Sequence, residues 1–233
     1  MPTQIEIGGV PVEVVRKDIK NVHLSVHPPT GRVRIAAPAR MGLETIRVFA
    51  VTKLPWIRRH QRKLAEQVRE PAREYLHLES HYVWGRRRLL RVAHRTGRPS
   101  VALSARFITL SVPPHASAKL KAEVLHEWHK TLLHDAIPPL IRRWEPRLGV
   151  RVKGYFLQRM KTKWGSCNHR VGHIRLNTEL VKKPKDALEY VIVHEMAHLL
   201  VPDHGAQFLA LLDTHWPGWR STQRELNELP LGV

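Results

Sequence analysis

The sequence predicts an α+β fold, in which a β-rich N-terminal region precedes a mostly helical region. Apolar residues alternate in short runs up to about residue 113 and recur at helical spacing beyond it. We therefore divide the chain into residues 1–113, with one helix among strands, and residues 114–233. A length of 233 residues fits one large domain or one domain with an extension, so the two regions are also compatible with one continuous domain.

Glycine and proline separate the predicted elements of the first region. Alternating Ile and Val residues around a Gly-Gly pair at 8–9 predict two strands joined by a turn, and residues 28–31 predict a hairpin. Residues 43–69 change to helical spacing, with Pro55 either starting a second helix or kinking the first. Short apolar runs within residues 80–112 return to the β pattern.

Helical spacing dominates the second region, with two short strands inside it. The predicted elements, in order, are a helix over 116–136, strands over 150–158 and 172–178 around a polar loop, and helices over 183–200, 206–215 and 221–229. We expect Pro138 and Pro139 to interrupt the first of these helices. Proline is favoured in the first turn of a helix, so Pro184 should mark the beginning of the helix over 183–200.

Positive charge dominates the composition, with 39 Lys and Arg against 20 Asp and Glu and a net charge of +19. This balance excludes an acidic disordered chain and favours polyanionic partners, either nucleic acid or phosphorylated small molecules. The basic residues cluster over 58–63, 86–98 and 142–153. Two interpretations stay open: a dispersed, solubilising charge, or a surface that attracts polyanions.

A single cysteine, Cys167, excludes a disulfide within the chain and any metal site built from several cysteines. A lone thiol is typical of a reducing compartment, and the N-terminus lacks a basic segment followed by an apolar run, so we expect a cytoplasmic protein. The most apolar stretch, residues 190–201, is far shorter than the roughly 20 apolar residues that a membrane helix needs. We therefore expect no membrane partner.

The segment His194-Glu195-Met196-Ala197-His198 has the pattern His-Glu-x-x-His within a predicted helix. Positions i and i+4 lie on one helix face, about 5–6 Å apart at Cβ, so two imidazoles can bind one Zn²⁺ ion. The glutamate next to the first histidine can reach an attacking water and take its proton. The pattern predicts a zinc-dependent hydrolase with Glu195 as general base.

His204 is the predicted third ligand. Pro202 ends the helix after His198, so the chain can turn back and direct His204 to the metal. A catalytic zinc needs three protein ligands and one open position, and His194, His198 and His204 provide the three.

A second His-Glu pair occurs in His126-Glu127-Trp128-His129-Lys130. Its fifth position is lysine, so the pattern of the hydrolytic site is incomplete. We predict that both histidines of this segment lie on a helix surface.

Several motifs around the first pattern resemble the YgjP-like metallohydrolases, which are related to the SprT and WLM zinc metallopeptidases. In chain order they are Arg159-Met160-Lys161-Thr162-Lys163-Trp164-Gly165-Ser166-Cys167, Ile174-Arg175-Leu176-Asn177, Tyr190 to Leu199, Asp203-His204-Gly205 and Phe208. The resemblance covers most of the chain and is densest over 155–220. It implies a zincin-like catalytic core, a short antiparallel sheet packed on the His-Glu-x-x-His helix, with zinc held by the three histidines and Glu195 as base.

Five further residues are candidates for the site. Lys161 and Lys163, in the polar loop between two predicted strands, either stabilise an oxyanion or phosphate or are merely solvated. Arg175 and Asn177 lie on the strand expected beside the motif helix, and in a zincin that strand binds extended substrate by β-augmentation. The Asp203 carboxylate adjoins a ligand and either orients an imidazole or is solvated on the loop.

Three functions stay open. The resemblance implies hydrolysis of a peptide substrate. The same zinc site would also suit a nucleoside triphosphate pyrophosphohydrolase, because the basic charge favours a phosphorylated small-molecule substrate. The third is a nucleic-acid-binding protein with a structural or vestigial zinc site; the intact Glu195 argues against it, and a fourth protein ligand would favour it.

Overall fold

The computed structural model describes residues 3–27, 30–66 and 73–228. Helices and strands fall into two compact units, Met1–Glu70 and Pro71–Gly232, and each unit contains both. The α+β class is confirmed. Strands give way to a long helix near residue 113, and the division between the two units lies near residue 70.

The first unit is built on a four-stranded sheet with the strand order β1-β2-β4-β3. Its elements are β1 (Thr3–Ile7), β2 (Val10–Lys17), β3 (His23–His27), β4 (Arg32–Pro38), α1 (Leu43–Thr52) and α2 (Leu54–Glu66). Ile46 and Ile57 of the two helices are fully buried in one cluster with Val12 and Ile35 of the sheet. The predicted residues 28–29 and 67–69 lie outside the described residues.

A second four-stranded sheet, with the order β5-β6-β8-β7, begins the second unit. Its strands are β5 (Ser80–Val83), β6 (Arg86–His94), β7 (Ser100–Leu103) and β8 (Phe107–Val112). Leu90, Ile108 and Leu110 point to one face of the sheet and pack with Leu125 of the following helix, α3 (Ala118–Leu148). One face of this sheet is therefore in the core.

Helix α3 is continuous through Pro138 and Pro139, so the predicted interruption is wrong. Each proline lacks an N–H and leaves a carbonyl four residues earlier without its helical partner. Those carbonyls belong to His134 and Asp135, which are exposed, so water can satisfy them. The buried stripe that includes Ile137 continues on either side of the pair, and its packing keeps the helix in one piece.

The third sheet is mixed, with the order β10-β11-β9, which corrects the expected antiparallel sheet. It comprises β9 (Gly154–Gln158), β10 (Gly165–Asn168) and β11 (His173–Asn177). The chain reverses direction after β9 and again after β10. Strand β11 therefore pairs with β10 in antiparallel and with β9 in parallel orientation. Strand β10 lies in the segment predicted to be a polar loop.

A 3₁₀ helix (Thr178–Lys182) leads into the last three helices, α4 (Lys185–Ala197), α5 (Ala206–His215) and α6 (Trp219–Glu228). Leu188, Ile192 and Met196 of α4 are fully buried, and they share one core with α3, the third sheet, α5 and α6. The predicted position 229 lies outside the described residues. No helix in the described part of the chain has the length and apolarity to cross a membrane.

Candidate active site

Helix α4 brings the first histidine and the glutamate of the motif together. Pro184 precedes the first helical residue and Asp186 lies in the first turn, where a carboxylate suits the helix dipole. His194 is half-buried and Glu195 is only 5% exposed, near the C-terminal end of the helix. His198 is the C-cap residue, so the regular helix ends at the second histidine of the pattern.

Three imidazole nitrogens meet at one point. His204, on the loop between α4 and α5, places its Nε2 atom 2.9 Å from Nε2 of His194 and 3.2 Å from Nε2 of His198. Ligand atoms about 2.0–2.1 Å from a tetrahedral ion are separated from each other by roughly 3.3 Å. The spacing of the three nitrogens therefore fits one metal ion bound between them.

The protonation of the histidines also suits a metal. Nδ1 of His198 lies 3.0 Å from the carbonyl of Val201 and donates to it, which leaves the lone pair on Nε2. Burial, and then the neighbouring His198 and His204, lower the pKa of His194 to about 4. Neutral imidazoles are the form that binds a divalent cation.

Two aromatic residues hold the histidines in place. Phe208 of α5, 1% exposed, stacks on His198 at 4.5 Å between ring centroids and presents its edge or face to the other two rings at 4.8–5.0 Å. The hydroxyl of Tyr190, one helical turn before His194, lies 3.4 Å from its Nδ1 atom. The sequence places Phe208 in a motif but does not predict its contact with all three rings, because that contact depends on how α5 packs against α4.

Gly165 of β10 lies directly against the carboxylate of Glu195. A Cβ atom at position 165 would be 2.5 Å from Oε1 of Glu195 and 2.7–2.8 Å from its Cγ and Cδ atoms. Burial raises the pKa of Glu195 to about 8, and the nearby charge of Lys163 opposes that rise. The absence of a side chain at 165 is what leaves room for the glutamate.

A cavity of about 460 Å³ opens over the histidines and Glu195. Its walls are residues 162–167 with His169, one side of α4, Pro202 and His204 of the following loop, and three residues of α6, namely Gln223, Leu226 and Asn227. Among the described residues that line it, Lys163 is the only Lys or Arg. Cys167 also lines the cavity, and burial raises the pKa of its thiol to about 11, so the group is neutral.

The structure places the predicted substrate residues in different positions. Lys163 lines the cavity, whereas Lys161 is exposed outside its lining. Arg175 is exposed on β11, also outside the lining. Asp203 is exposed on the loop, with no hydrogen bond to an imidazole among the described residues; its charge raises the pKa of His198, against the larger effect of burial.

Asn177 supports the loop from within the protein and does not face the cavity. Its side chain is fully buried, and its Nδ2 atom donates to the carbonyls of Met160 and Lys163 at 2.8 Å. Its Oδ1 atom accepts from the N–H groups of Met160 and Glu179. These bonds hold the loop that carries Lys163 in place. Because the Asn177 side chain is used within the protein, this arrangement does not support the expected direct contact of Asn177 with substrate.

The strand that lines the cavity is β10, whereas β11, which carries Arg175 and Asn177, also packs against the motif helix α4 but contributes no residue to the lining. Strand β11 is central in its sheet, with β9 on one side and β10 on the other. The N–H of Asn177 donates to the carbonyl of Trp164, which defines a hydrogen-bonded pair of the ladder. By the alternation of an antiparallel ladder, the peptide groups of Gly165 and Cys167 point away from β11.

The second His-Glu pair is only partly at the surface, so this prediction was wrong for His129. His126 is half-buried, and His129 is 8% exposed, with no hydrogen-bond partner for Nε2 among the described residues. Burial, and then the charges of Lys182 and neighbouring histidines, lower the pKa of His129 to about 3. His129 therefore stays neutral in the folded protein near pH 7.

A buried glutamate beside three converging histidines is typical of the metallopeptidase class. A family model described as the YgjP-like metallopeptidase domain matches residues 20–229, and the chain belongs to this YgjP-like family. The resemblance inferred from the motifs is confirmed.

Two solved structures are similar to part of the chain. The metallopeptidase zymogen jannalysin of Methanocaldococcus jannaschii shares 20% identity, with 39% of this chain and 87% of that chain covered and a TM-score of 0.35. The zymogen abylysin of Pyrococcus abyssi shares 20% identity, with 41% and 97% covered and a TM-score of 0.36. No curated protein matches the chain.

Proposed function

We propose that the protein is a zinc-dependent peptidase of zincin-like design, in which His194, His198 and His204 hold the ion and Glu195 is the general base. The observation that carries this proposal is the convergence of three Nε2 atoms within a cavity that also contains the buried Glu195. Family membership supports a divalent metal and a peptide substrate.

The donor set favours zinc. Three imidazole nitrogens with an open fourth position are a common arrangement of catalytic zinc, whereas a structural site is closed by a fourth protein ligand. Among the described residues, the group of possible ligands consists of the three histidines alone. This supports a catalytic site over the structural or vestigial one considered from the sequence. A bound zinc ion supplies Lewis acidity, which activates water and polarises a carbonyl group.

Glu195 provides the proton transfer. Its carboxylate is held in one position by burial and by contact with the backbone of Gly165, so little reorganisation is needed during reaction. As general base it takes a proton from the attacking water, and it then gives that proton to the amine that leaves. The ammonium of Lys163, on the wall of the same cavity, favours the charged form of the carboxylate.

Strand β10 offers a means of holding a peptide. The outward peptide groups of Gly165 and Cys167 can pair with an extended chain and add it to the sheet edge beside the cavity. A nucleoside triphosphate is disfavoured as a substrate, because its phosphates would meet one cationic side chain, Lys163, among the described residues of the cavity. Peptide hydrolysis is therefore the function that the site supports best.

The test is a parallel panel of peptides, unfolded proteins and nucleoside triphosphates, with metal content measured on the same samples. Glu195→Gln should keep zinc and lose about 10²–10⁴-fold in kcat, because the base is gone and the ligands remain. His204→Ala should lose zinc, while His77→Ala, a change of an exposed histidine, should not. Full activity of Glu195→Gln would refute the role of the base, and turnover of nucleotides alone would refute the peptidase.

A further inference from the structure

The sheet β5-β6-β8-β7 and its connections contain seven arginines, four of them in strand β6, and no acidic residue. No Asp or Glu occurs from Ser80 to Ala122, a segment that includes all four strands. The arginines are Arg86, Arg87, Arg88, Arg91, Arg95, Arg98 and Arg106. None of the seven pairs with a carboxylate in the described part of the chain, and the adjacent Glu79 lies 3.6 Å from each of Arg73 and His81. The positive charge of this sheet is thus not neutralised locally.

The two faces of the sheet differ in chemistry. Val83, Leu90 and Ile108 form the inner face and pack against α3. The opposite face, which we call the outer face, carries Tyr82 of β5, Arg87 and Arg91 of β6, and Phe107 of β8. Alternation along the strands produces this separation, since residues next to an inward side chain point outward.

Aromatic and arginine side chains are neighbours on the outer face. Tyr82 is directly opposite Arg87 in the β5–β6 ladder, and it is 39% exposed. The guanidinium of Arg91 lies over the ring of Phe107, 4.0 Å from its centroid, with that of Arg106 5.8 Å away. From strand spacing and register, Tyr82 and Phe107 are about 12 Å apart, which is enough for two separate bases to stack.

We propose that the outer face binds single-stranded nucleic acid, a function separate from peptide hydrolysis. Stacking of bases on Tyr82 and on the Phe107–Arg91 pair would provide contacts that tolerate any sequence, and the arginines would bind phosphates. An exposed tyrosine and a half-buried phenylalanine covered by an arginine, on one sheet face, favour unpaired bases over a duplex, whose bases are stacked inside the helix. A membrane surface would need the arginines but not the ordered ring positions.

The experiment measures binding of the full chain to labelled oligothymidylate and oligouridylate by fluorescence anisotropy over a range of salt concentrations. Tyr82→Ala should weaken binding about tenfold through lost stacking, and Tyr82→Phe should bind like the wild type. The double variant Arg87→Ala/Arg91→Ala should reduce the slope of log K against log salt by about 1.4, since each phosphate contact to a single strand contributes about 0.7.

Arg58→Ala/Arg59→Ala is the matched control, because it removes the same charge from exposed positions of α2. The control should leave the salt slope of single-strand binding unchanged. Equal losses in the two double variants, unchanged binding by Tyr82→Ala, or equal affinity for a duplex would each overturn the proposal. Binding to phosphatidylserine vesicles without binding to either oligonucleotide would overturn it in favour of a membrane surface.

Discussion

Replacing Gly165 by alanine should damage catalysis without disturbing the metal. The new Cβ atom would begin 2.5 Å from Oε1 of Glu195, and ordinary contact requires at least 3.4 Å, so the carboxylate must move by about 0.9 Å. The backbone of β10 cannot easily yield, because it is paired with β11 along its length. All three atoms that the Cβ would meet most closely belong to Glu195, so the histidines are not displaced.

A shift of about 1 Å in a catalytic group costs roughly 10²-fold in rate, or close to 3 kcal/mol in the activation barrier. We expect kcat of Gly165→Ala on a peptide substrate to fall by that factor while bound zinc stays at the wild-type ratio. The measurement pairs steady-state kinetics with metal analysis of the same preparation. Gly154→Ala is the matched control, since it lies in the same sheet and its Cβ would make ordinary contacts of 3.4–3.5 Å with His173.

Three outcomes would refute this reasoning. If Gly165→Ala retained kcat within about twofold, the position of the carboxylate would not limit the reaction. If it lost zinc together with activity, the contact would act on the histidines and not on Glu195. Equal damage by Gly154→Ala would show that any added methyl group in this sheet disturbs the site.

Two further predictions concern stability. The pKa of His129 is about 3 when folded and near 6.5 when unfolded, so the unfolded state takes up a proton first and stability falls as pH drops below 6.5. Between pH 7.5 and 5, the free energy of unfolding of the wild type, measured by urea titration, should therefore fall by about 2 kcal/mol more than that of His129→Leu. An equal dependence of this free energy on pH in the two proteins would contradict the prediction. Asn177→Ala should lower the free energy of unfolding by about 3 kcal/mol, because it removes the four hydrogen bonds that the buried side-chain amide makes to the backbone of Met160, Lys163 and Glu179. Asn168→Ala, at the exposed end of β10, should cost less than about 0.5 kcal/mol in the same titrations.

The local part of the candidate site was predictable from the sequence. His194 and His198 are four residues apart, and helix geometry alone brings such residues to one face. His204 followed from the proline that ends the helix, and the structure brings its Nε2 atom to the other two. Each of these inferences depends on residues close together in the chain, where backbone geometry limits the arrangements.

Packing and pairing between separate elements explain the predictions that failed. The pattern of the 159–167 segment is that of a polar loop, and strand β10 exists there because β11 pairs with it. Pro138 and Pro139 are helix breakers by local rules, but the buried stripe of α3 has enough apolar contacts to continue through them. His129 is a polar residue in a charged segment, which suggests a surface position. It is buried because α3 packs against neighbouring elements.

The sequence by itself determined the family, the set of three histidines and the glutamate beside them, because these are short-range patterns in a fixed order. Only the tertiary structure decided what surrounds that set: Gly165 against the carboxylate, Phe208 against the imidazoles, and Asn177 inside the loop. The physical reason is that each of these contacts joins separate elements, and their distances follow from packing of the whole core. The same distinction holds for the charge, since composition revealed the excess of arginine, and only the strand register placed Arg87 opposite Tyr82 and Arg91 over the ring of Phe107.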